Sequence, residues 1–223
     1  MPIFISNDYS FFIVSSYKCG YTTLNNSDKI SLVHKNEYYR NHYLKTRFIV
    51  LLKSFFRRKK TYMIFRDPYE RAESCYFDKI LNAESMDVES KYIKTLFSAK
   101  GLNFSGDNKK NFLITKNISF EDFILKILPQ LHDKEAHFFP QYKSSLIGVL
   151  RKFGINYRLR IDAFFNLKNK NDMKKLRLLT SVDFEKKFNV SKKHKVEWSS
   201  KMYEVFNEIY LNDFKLLKIK VKV

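Results

Sequence analysis

Short apolar runs alternate along the chain with stretches of helical periodicity. Four runs predict β-strands, at 11–15, 30–33, 61–65 and 157–161. Helical spacing predicts helices at 39–56, 68–82, 88–98, 120–128, 143–153, 170–179 and 199–218. Because the strands alternate with helices, the pattern predicts an α/β fold with a mostly parallel central sheet covered by helices.

The first strand leads into a tight loop, Ser15 to Tyr21, which opens on paired threonines. Thr22 and Thr23 can begin a helix, so backbone N–H groups and the positive end of that helix would form a site for an anion, and Lys18 adds a mobile charge. In a standard ATP- or GTP-binding loop the lysine follows a second glycine. Here Lys18 precedes Gly20, which disfavours a nucleoside-triphosphate site. A surface turn with an ordinary exposed lysine remains the alternative.

A second strand-to-helix junction follows at 61–82. Its strand ends in Arg66, and Asp67-Pro68 is a favourable helix start because Asp caps well and Pro suits the first helical position. Ser74 lies eight positions after Arg66, about two turns into the helix. An arginine at a strand end can clamp a phosphate through two hydrogen bonds, and a nearby hydroxyl can complete the clamp. The alternative is a capped helix start without a ligand.

The two junctions, K-x-G-x-T-T-L and R-D-P-x-x-R-x-x-S-x-Y, closely resemble the cofactor signatures of the sulfotransferases that use 3′-phosphoadenylyl sulfate (PAPS). The nearest subgroup is the carbohydrate sulfotransferases and their bacterial relatives. Three later segments also resemble family elements: SFEDFILKIL at 119–128, EAHFFPQ at 135–141, and the Y-x-x-D-F pattern within 198–217. The resemblance covers most of the chain and implies a P-loop-like, three-layer α/β fold.

The resemblance also implies roles for residues of both junctions. Lys18 would contact the 5′-phosphosulfate and stabilise charge on the bridging oxygen as its bond to sulfur breaks. Arg66 and Ser74 would hold the 3′-phosphate. The cofactor would also be bound by the other loop residues, Cys19, Gly20, Tyr21, Thr22 and Thr23. The chain departs from the family in having Tyr21 where a small residue is usual and Phe138 in place of the usual aromatic of the H-W pair.

Sulfuryl transfer requires the attacking oxygen, the sulfur and the leaving oxygen to be in line, so catalysis is mainly positioning and charge stabilisation, and no metal is required. A base must take the proton of the acceptor hydroxyl, which suits His or Glu. The candidates after the second strand are His34, Glu37 and His42, and His34 is preferred because it lies at the end of the strand. His137 is a further candidate, which could face the acceptor or only lock the P-Q turn.

The composition of the chain bears on its domain count and its cellular location. A chain of 223 residues can form one sizeable core, so we expect a single domain over 1–223 with a polar, variable insertion at 83–117. The two cysteines, Cys19 and Cys75, indicate neither a disulfide framework nor a metal site, which favours a reducing compartment. No apolar stretch is long enough to span a bilayer, and together with residue usage typical of an AT-rich genome this predicts a soluble, cytoplasmic bacterial enzyme.

The sequence therefore predicts a sulfotransferase that moves the sulfuryl group of PAPS to an acceptor hydroxyl, with a glycan as the favoured acceptor and adenosine 3′,5′-bisphosphate as the product nucleotide. Two alternatives stay open. One is a P-loop phosphotransferase, which would need a Walker-type loop and acidic magnesium ligands. The other is a non-catalytic protein that binds nucleic acid or another polyanion, since the formal net charge is +19. We expect no specific nucleic-acid partner.

Overall fold

A computed structural model of the chain describes residues 2–8, 10–32, 59–81, 98, 115–133, 137–145, 159–184 and 196–223. The chain divides into two compact units. The first unit is 1–67 with 141–190, and the second unit is 68–140 with 191–223. The expectation of one domain over 1–223 stays a prediction.

The first unit contains a five-stranded sheet of order β3-β1-β2-β4-β5. The strands are β1 (Ile3–Ser6), β2 (Phe11–Ser15), β3 (Ile30–Leu32), β4 (Lys60–Phe65) and β5 (Ala163–Asn166). β1 is antiparallel to β2 and β3, whereas β4 is parallel to β2 and β5. The described sheet is therefore mixed, with two parallel and two antiparallel pairs, rather than mostly parallel as predicted. The mixed sheet and its helices are consistent with the predicted α/β class.

The central strands, β2 and β4, are largely apolar and are buried on both faces. All five residues of β2 are buried, as are 61–64 of β4. A continuous apolar run is typical of such strands, whereas a half-exposed strand alternates. Side chains from one face of the sheet pack with residues from two helices, and this core includes Phe4, Ile13, Leu24, Ile64, Phe165 and Leu176.

Among its described residues, the first unit has two helices, α1 (Tyr21–Asn25) and α4 (Lys170–Thr180), and a 3₁₀ turn at Gln141–Ser145. Asn169 caps α4 by accepting hydrogen bonds from the N–H groups of Asn171 and Asp172. Leu24 and Leu176 anchor the two helices in the core. The prediction of a helix at 170–179 is confirmed.

The predicted strand at 157–161 is wrong for the residues that are described, 159–161, and the strand occurs instead at Ala163–Asn166. The register with β4 explains the shift, because Tyr62 pairs with Ala163. Asp162 fixes this start: its carboxylate accepts the N–H of Thr61 over 2.8 Å, and its own N–H donates to the Thr61 carbonyl over 2.8 Å.

The second unit is helical and has an aromatic core. α2 (Pro68–Tyr76) continues into a π-helical turn (Phe77–Leu81), and α3 runs through Phe120–Asp122, a π-helical stretch at Phe123–Ile127, and Leu128–Leu131. α5 (Ser200–Leu217) is capped by Ser199, which accepts the Met202 N–H. These helices confirm the predictions at 68–82, 120–128 and 199–218. Their buried faces meet through Tyr69, Phe123, Phe138, Phe206 and Phe214.

Several predictions fall outside the described residues. These are the helix at 39–56, nearly all of the insertion at 83–117, and the part of the helix at 143–153 that follows the 3₁₀ turn. Across the described ranges, no helix is both long and apolar enough to cross a membrane.

Candidate functional site

The carboxyl ends of β2 and β4 lie side by side at one edge of the sheet. The strands are parallel neighbours, and Ser15 pairs with Ile64 in their register. The chain therefore leaves both strands at the same edge, into the loop that carries Lys18 after β2 and into Arg66 after β4. Ligands of sheets with parallel strands bind at such carboxyl ends. The two predicted phosphate-binding segments of the first unit are thus brought together.

The loop between β2 and α1 has an unusual backbone. Lys18 and Gly20 both adopt left-handed conformations, with φ of 68° and 80°. The left-handed region costs a residue with a Cβ about 1–2 kcal/mol, so the Lys18 conformation is held by its surroundings. The hydroxyl of Ser15 donates to the Cys19 carbonyl over 2.6 Å, and the Cys19 N–H donates to the Ser16 carbonyl over 3.1 Å. These contacts fix the loop from both sides of Lys18.

Gly20 suits its position because of its backbone conformation, whereas the space beside it would admit a Cβ in ordinary contact. Its φ of 80° favours glycine, and a Cβ at this position would lie 3.4 Å from Cδ1 of Leu167. The carbonyl of Gly20 accepts the Leu24 N–H over 3.0 Å and so starts α1. The first N–H groups of a helix lack intrahelical acceptors, which makes the start of α1, with Thr22 and Thr23, a polar rim on the loop.

Gln141 joins the loop to the end of β4. Its side chain is fully buried. Its Oε1 accepts the Arg66 N–H over 3.0 Å and the Cys19 thiol over 3.0 Å, while its Nε2 donates to the Arg66 carbonyl over 2.7 Å. Only this orientation of the amide satisfies both backbone groups of Arg66. The sequence interpretation missed Gln141 as a site residue; the available signal was a glutamine directly after the aromatic and proline residues of EAHFFPQ.

The thiol of Cys19 contacts protein groups and is fully buried. Besides donating to Gln141, the sulfur accepts the Ser16 hydroxyl over 3.0 Å. The side chain predicted among the cofactor contacts therefore holds the loop in shape.

Tyr21 is an anchor for the start of α1. Its ring lies 5.9 Å from the ring of Phe4 and 5.3 Å from that of Tyr17. Burial, and to a smaller extent the neighbouring Tyr21, raise the pKa of Tyr17 above its usual value. The bulky residue that departs from the family pattern thus packs beside the core of the first unit and against the loop residue Tyr17.

Ser74 and His137 belong to the second unit. Ser74 is buried on α2. The backbone carbonyl of His137 accepts hydrogen bonds from Nη2 of Arg71 over 2.8 Å and from the Cys75 thiol over 3.3 Å. Arg71 is itself buried, so its guanidinium helps to hold the backbone at His137. These contacts hold the backbone at His137, and the role of its side chain stays a prediction.

The three base candidates after the second strand, His34, Glu37 and His42, lie outside the described residues. Their assignment stays a prediction. Within the described ranges there is no group of three or more His, Cys, Asp or Glu side chains that could hold a metal ion.

Comparison of the chain with protein families, with curated proteins and with solved structures finds no match. The site is therefore characterised by its own geometry. That geometry is a strained, glycine-containing loop with a lysine, placed beside an arginine at the end of the neighbouring parallel strand, and joined to it by one buried amide.

Proposed function

We propose that this protein is a sulfotransferase that transfers the sulfuryl group of PAPS to a hydroxyl of an acceptor, with a carbohydrate as the favoured acceptor class. The observation that carries the proposal is that two segments predicted to bind anions lie side by side at one sheet edge. Lys18 and Arg66 follow adjacent parallel strands, and Gln141 hydrogen-bonds to both segments. A nucleotide with phosphate groups at two separate positions suits such a pair of cations.

In the proposed reaction the acceptor oxygen forms a bond to sulfur while the bond between sulfur and the bridging oxygen of the 5′-phosphate breaks. Adenosine 3′,5′-bisphosphate leaves with the electron pair of that bond. Negative charge grows on the bridging oxygen, where the ammonium group of Lys18 would stabilise it. A base, for which His34 is the leading candidate, would accept the proton of the acceptor hydroxyl.

Arg66 would bind the 3′-phosphate, which distinguishes PAPS from ordinary adenine nucleotides; the same role for Ser74 stays a prediction from the sequence. A guanidinium suits this role because it presents two parallel N–H donors to a phosphate. The formal net charge of +19 would favour the approach of the anionic cofactor. The proposal includes a P-loop-like arrangement of the α/β fold and a cytoplasmic location.

Titration calorimetry of the whole chain with adenosine 3′,5′-bisphosphate and with AMP tests the proposal. Charge-assisted hydrogen bonds contribute about 1.5–3 kcal/mol each, so the bisphosphate should bind roughly 10- to 100-fold more tightly than AMP. Equal affinities would contradict the assignment of the cofactor.

A basic polyanion-binding protein is the second candidate, and the net charge is the observation that favours it. Salt concentration separates the two functions. Nonspecific binding to a polyanion weakens steeply as salt rises and does not depend on a 3′-phosphate. A selective nucleotide site retains its preference for the bisphosphate over AMP at each salt concentration.

A further inference from the structure

The side-chain amide of Gln141 pairs with the backbone of Arg66 as a residue of a neighbouring strand would. It accepts from the N–H and donates to the C=O of the same residue, over 3.0 and 2.7 Å, directly after β4 ends. The same Oε1 also accepts the thiol of Cys19, the neighbour of Lys18 in the loop. The Gln141 side chain therefore links the side chain of Cys19, the residue after Lys18, with the backbone of Arg66.

We propose that Gln141 is a positioning residue that fixes the spacing between the Lys18 loop and Arg66, and that it thereby couples recognition of the two phosphate positions of the nucleotide. This inference rests on the proposed function. It adds that a glutamine contacting neither phosphate determines how well one ligand can engage both cations at once.

Burial makes the linkage rigid. The Gln141 side chain has no exposed surface, so water does not compete for its hydrogen bonds. The residue types also fit the role. Leucine has nearly the same size but no hydrogen bonds, and glutamate would place a carboxylate oxygen against the Arg66 carbonyl and add negative charge beside an anion site. Asparagine is one methylene shorter and could not span the same three partners.

Rigid spacing should benefit only a ligand that is held at both ends. Adenosine 3′,5′-bisphosphate would contact the loop and Arg66 together, and its affinity gains when the two are already correctly placed. Nucleotides with one phosphate, 5′-AMP and 3′-AMP, each use one of the two segments. Loss of the linkage should weaken the bisphosphate selectively, which a general loss of stability would not do.

The test compares the affinities of these three nucleotides by calorimetry, at one ionic strength, for the wild-type chain, Gln141→Leu and Gln130→Leu. Gln130 is an exposed glutamine on α3 whose Nε2 donates to the Lys126 carbonyl, so its variant is the matched control. Gln141→Leu should weaken the bisphosphate about tenfold, within the usual range of coupling between sites, and each AMP less than about threefold. Gln130→Leu should change none of the three.

Cys19→Ala is a milder second variant, because it removes the thiol contacts to Gln141 and Ser16 and leaves both contacts between Gln141 and Arg66. It should weaken the bisphosphate in the same selective way, by a smaller factor. Hydrogen exchange of the Arg66 amide gives a readout without ligand: it should accelerate in Gln141→Leu and stay unchanged in Gln130→Leu.

These measurements distinguish failure of the cofactor assignment from failure of the coupling role of Gln141. A wild-type chain that does not prefer the bisphosphate overturns the cofactor assignment itself. If the wild type shows the preference and folded Gln141→Leu keeps it, or weakens all three nucleotides equally, only the coupling role is overturned. Should Gln141→Leu fail to fold, Cys19→Ala decides, and unchanged bisphosphate affinity in that variant overturns the coupling role.

Discussion

Tyr210 donates its hydroxyl hydrogen to the backbone carbonyl of Phe138 over 2.6 Å, and both residues are buried in the second unit. The contact falls where α5 departs from helical geometry, since Tyr210 has φ of −105° and ψ of 15°. Burial raises the pKa of Tyr210 far above its usual value of 10.0, and the nearby Arg71 only partly opposes this effect. The neutral hydroxyl is therefore a fixed part of the turn at 137–140.

Tyr210→Phe should lower the free energy of unfolding by about 1–3 kcal/mol, because the Phe138 carbonyl would lose its hydrogen-bond donor in a buried setting. The ring, which stacks on Phe206 with centroids 4.4 Å apart, stays in place, so the change isolates the hydroxyl. Denaturant unfolding measures the difference. Tyr203→Phe is the control, since Tyr203 is half-buried and stacks on Trp198 through its ring. Equal stability of Tyr210→Phe and the wild type would contradict the structural role.

The raised pKa of Tyr210 predicts a loss of stability in alkali. Above pH 10 the unfolded chain releases the Tyr210 proton while the folded chain keeps it, so the contribution is complete below pH 10 and falls as the pH rises further. Between pH 10 and 11 the wild type should lose up to about 1.4 kcal/mol more than Tyr210→Phe. Unfolding curves recorded at several pH values check this, and parallel losses in the two proteins would count against it.

The strands and helices with strong local signals were predicted well. β2 and β4 are continuous apolar runs, and α2 begins at Pro68 as the Asp-Pro pair indicates. β1 was missed because Ile3–Ser6 is four residues long and gains its stability from pairing on both sides, with β2 and β3. β5 was misplaced because the alternation at 157–161 suits a strand locally, whereas register with β4 decides where the strand forms.

The candidate site could be predicted from the sequence only in part. Lys18 and Arg66 were found because they stand next to strand ends, where local patterns are informative. Gln141 was missed because its role comes from contacts with Cys19 and Arg66, which are 122 and 75 positions away in the chain. A glutamine bound by backbone and thiol groups has no local spacing to identify it. The left-handed conformation of Lys18 was not predicted either.

Arg66→Ala should remove most of the preference for adenosine 3′,5′-bisphosphate over AMP. The substitution deletes the guanidinium but keeps the backbone groups that Gln141 binds. We expect the bisphosphate to weaken roughly 10- to 100-fold and AMP to change little, measured by calorimetry. Arg177→Ala removes the same charge from an exposed position on α4 and serves as control. A similar loss in both variants would mean that general charge attraction, and not a clamp, binds the nucleotide.

Lys18→Asn should lower turnover more than it weakens binding of the product nucleotide, because the ammonium group meets charge that grows in the transition state. Asparagine is chosen because it adopts the left-handed conformation more readily than alanine does. A sulfate-transfer assay with an accepted glycan should show a loss of roughly 10²- to 10³-fold. Lys174→Asn, at an exposed position on α4, should remain active. Near wild-type turnover in Lys18→Asn would make Lys18 a bystander.

The identity of the base is predicted from sequence order alone, because His34, Glu37 and His42 lie outside the described residues. If His34 accepts the proton of the acceptor, His34→Ala should lose roughly two to four orders of magnitude in turnover while the affinity for the bisphosphate stays close to that of the wild type. The transfer assay and calorimetry measure these two quantities separately.

Glu37→Ala and His42→Ala are parallel tests, since the end of the second strand sets which side chain is best placed. The described part of β3 ends at Leu32, and His34 follows two positions later in the sequence. An active His34→Ala with an inactive Glu37→Ala would assign the base to the glutamate. If all three variants keep their turnover, the base lies elsewhere, and His137 is the next to replace: its backbone carbonyl is held by Arg71 and Cys75, so a substitution there changes the side chain while those two contacts persist.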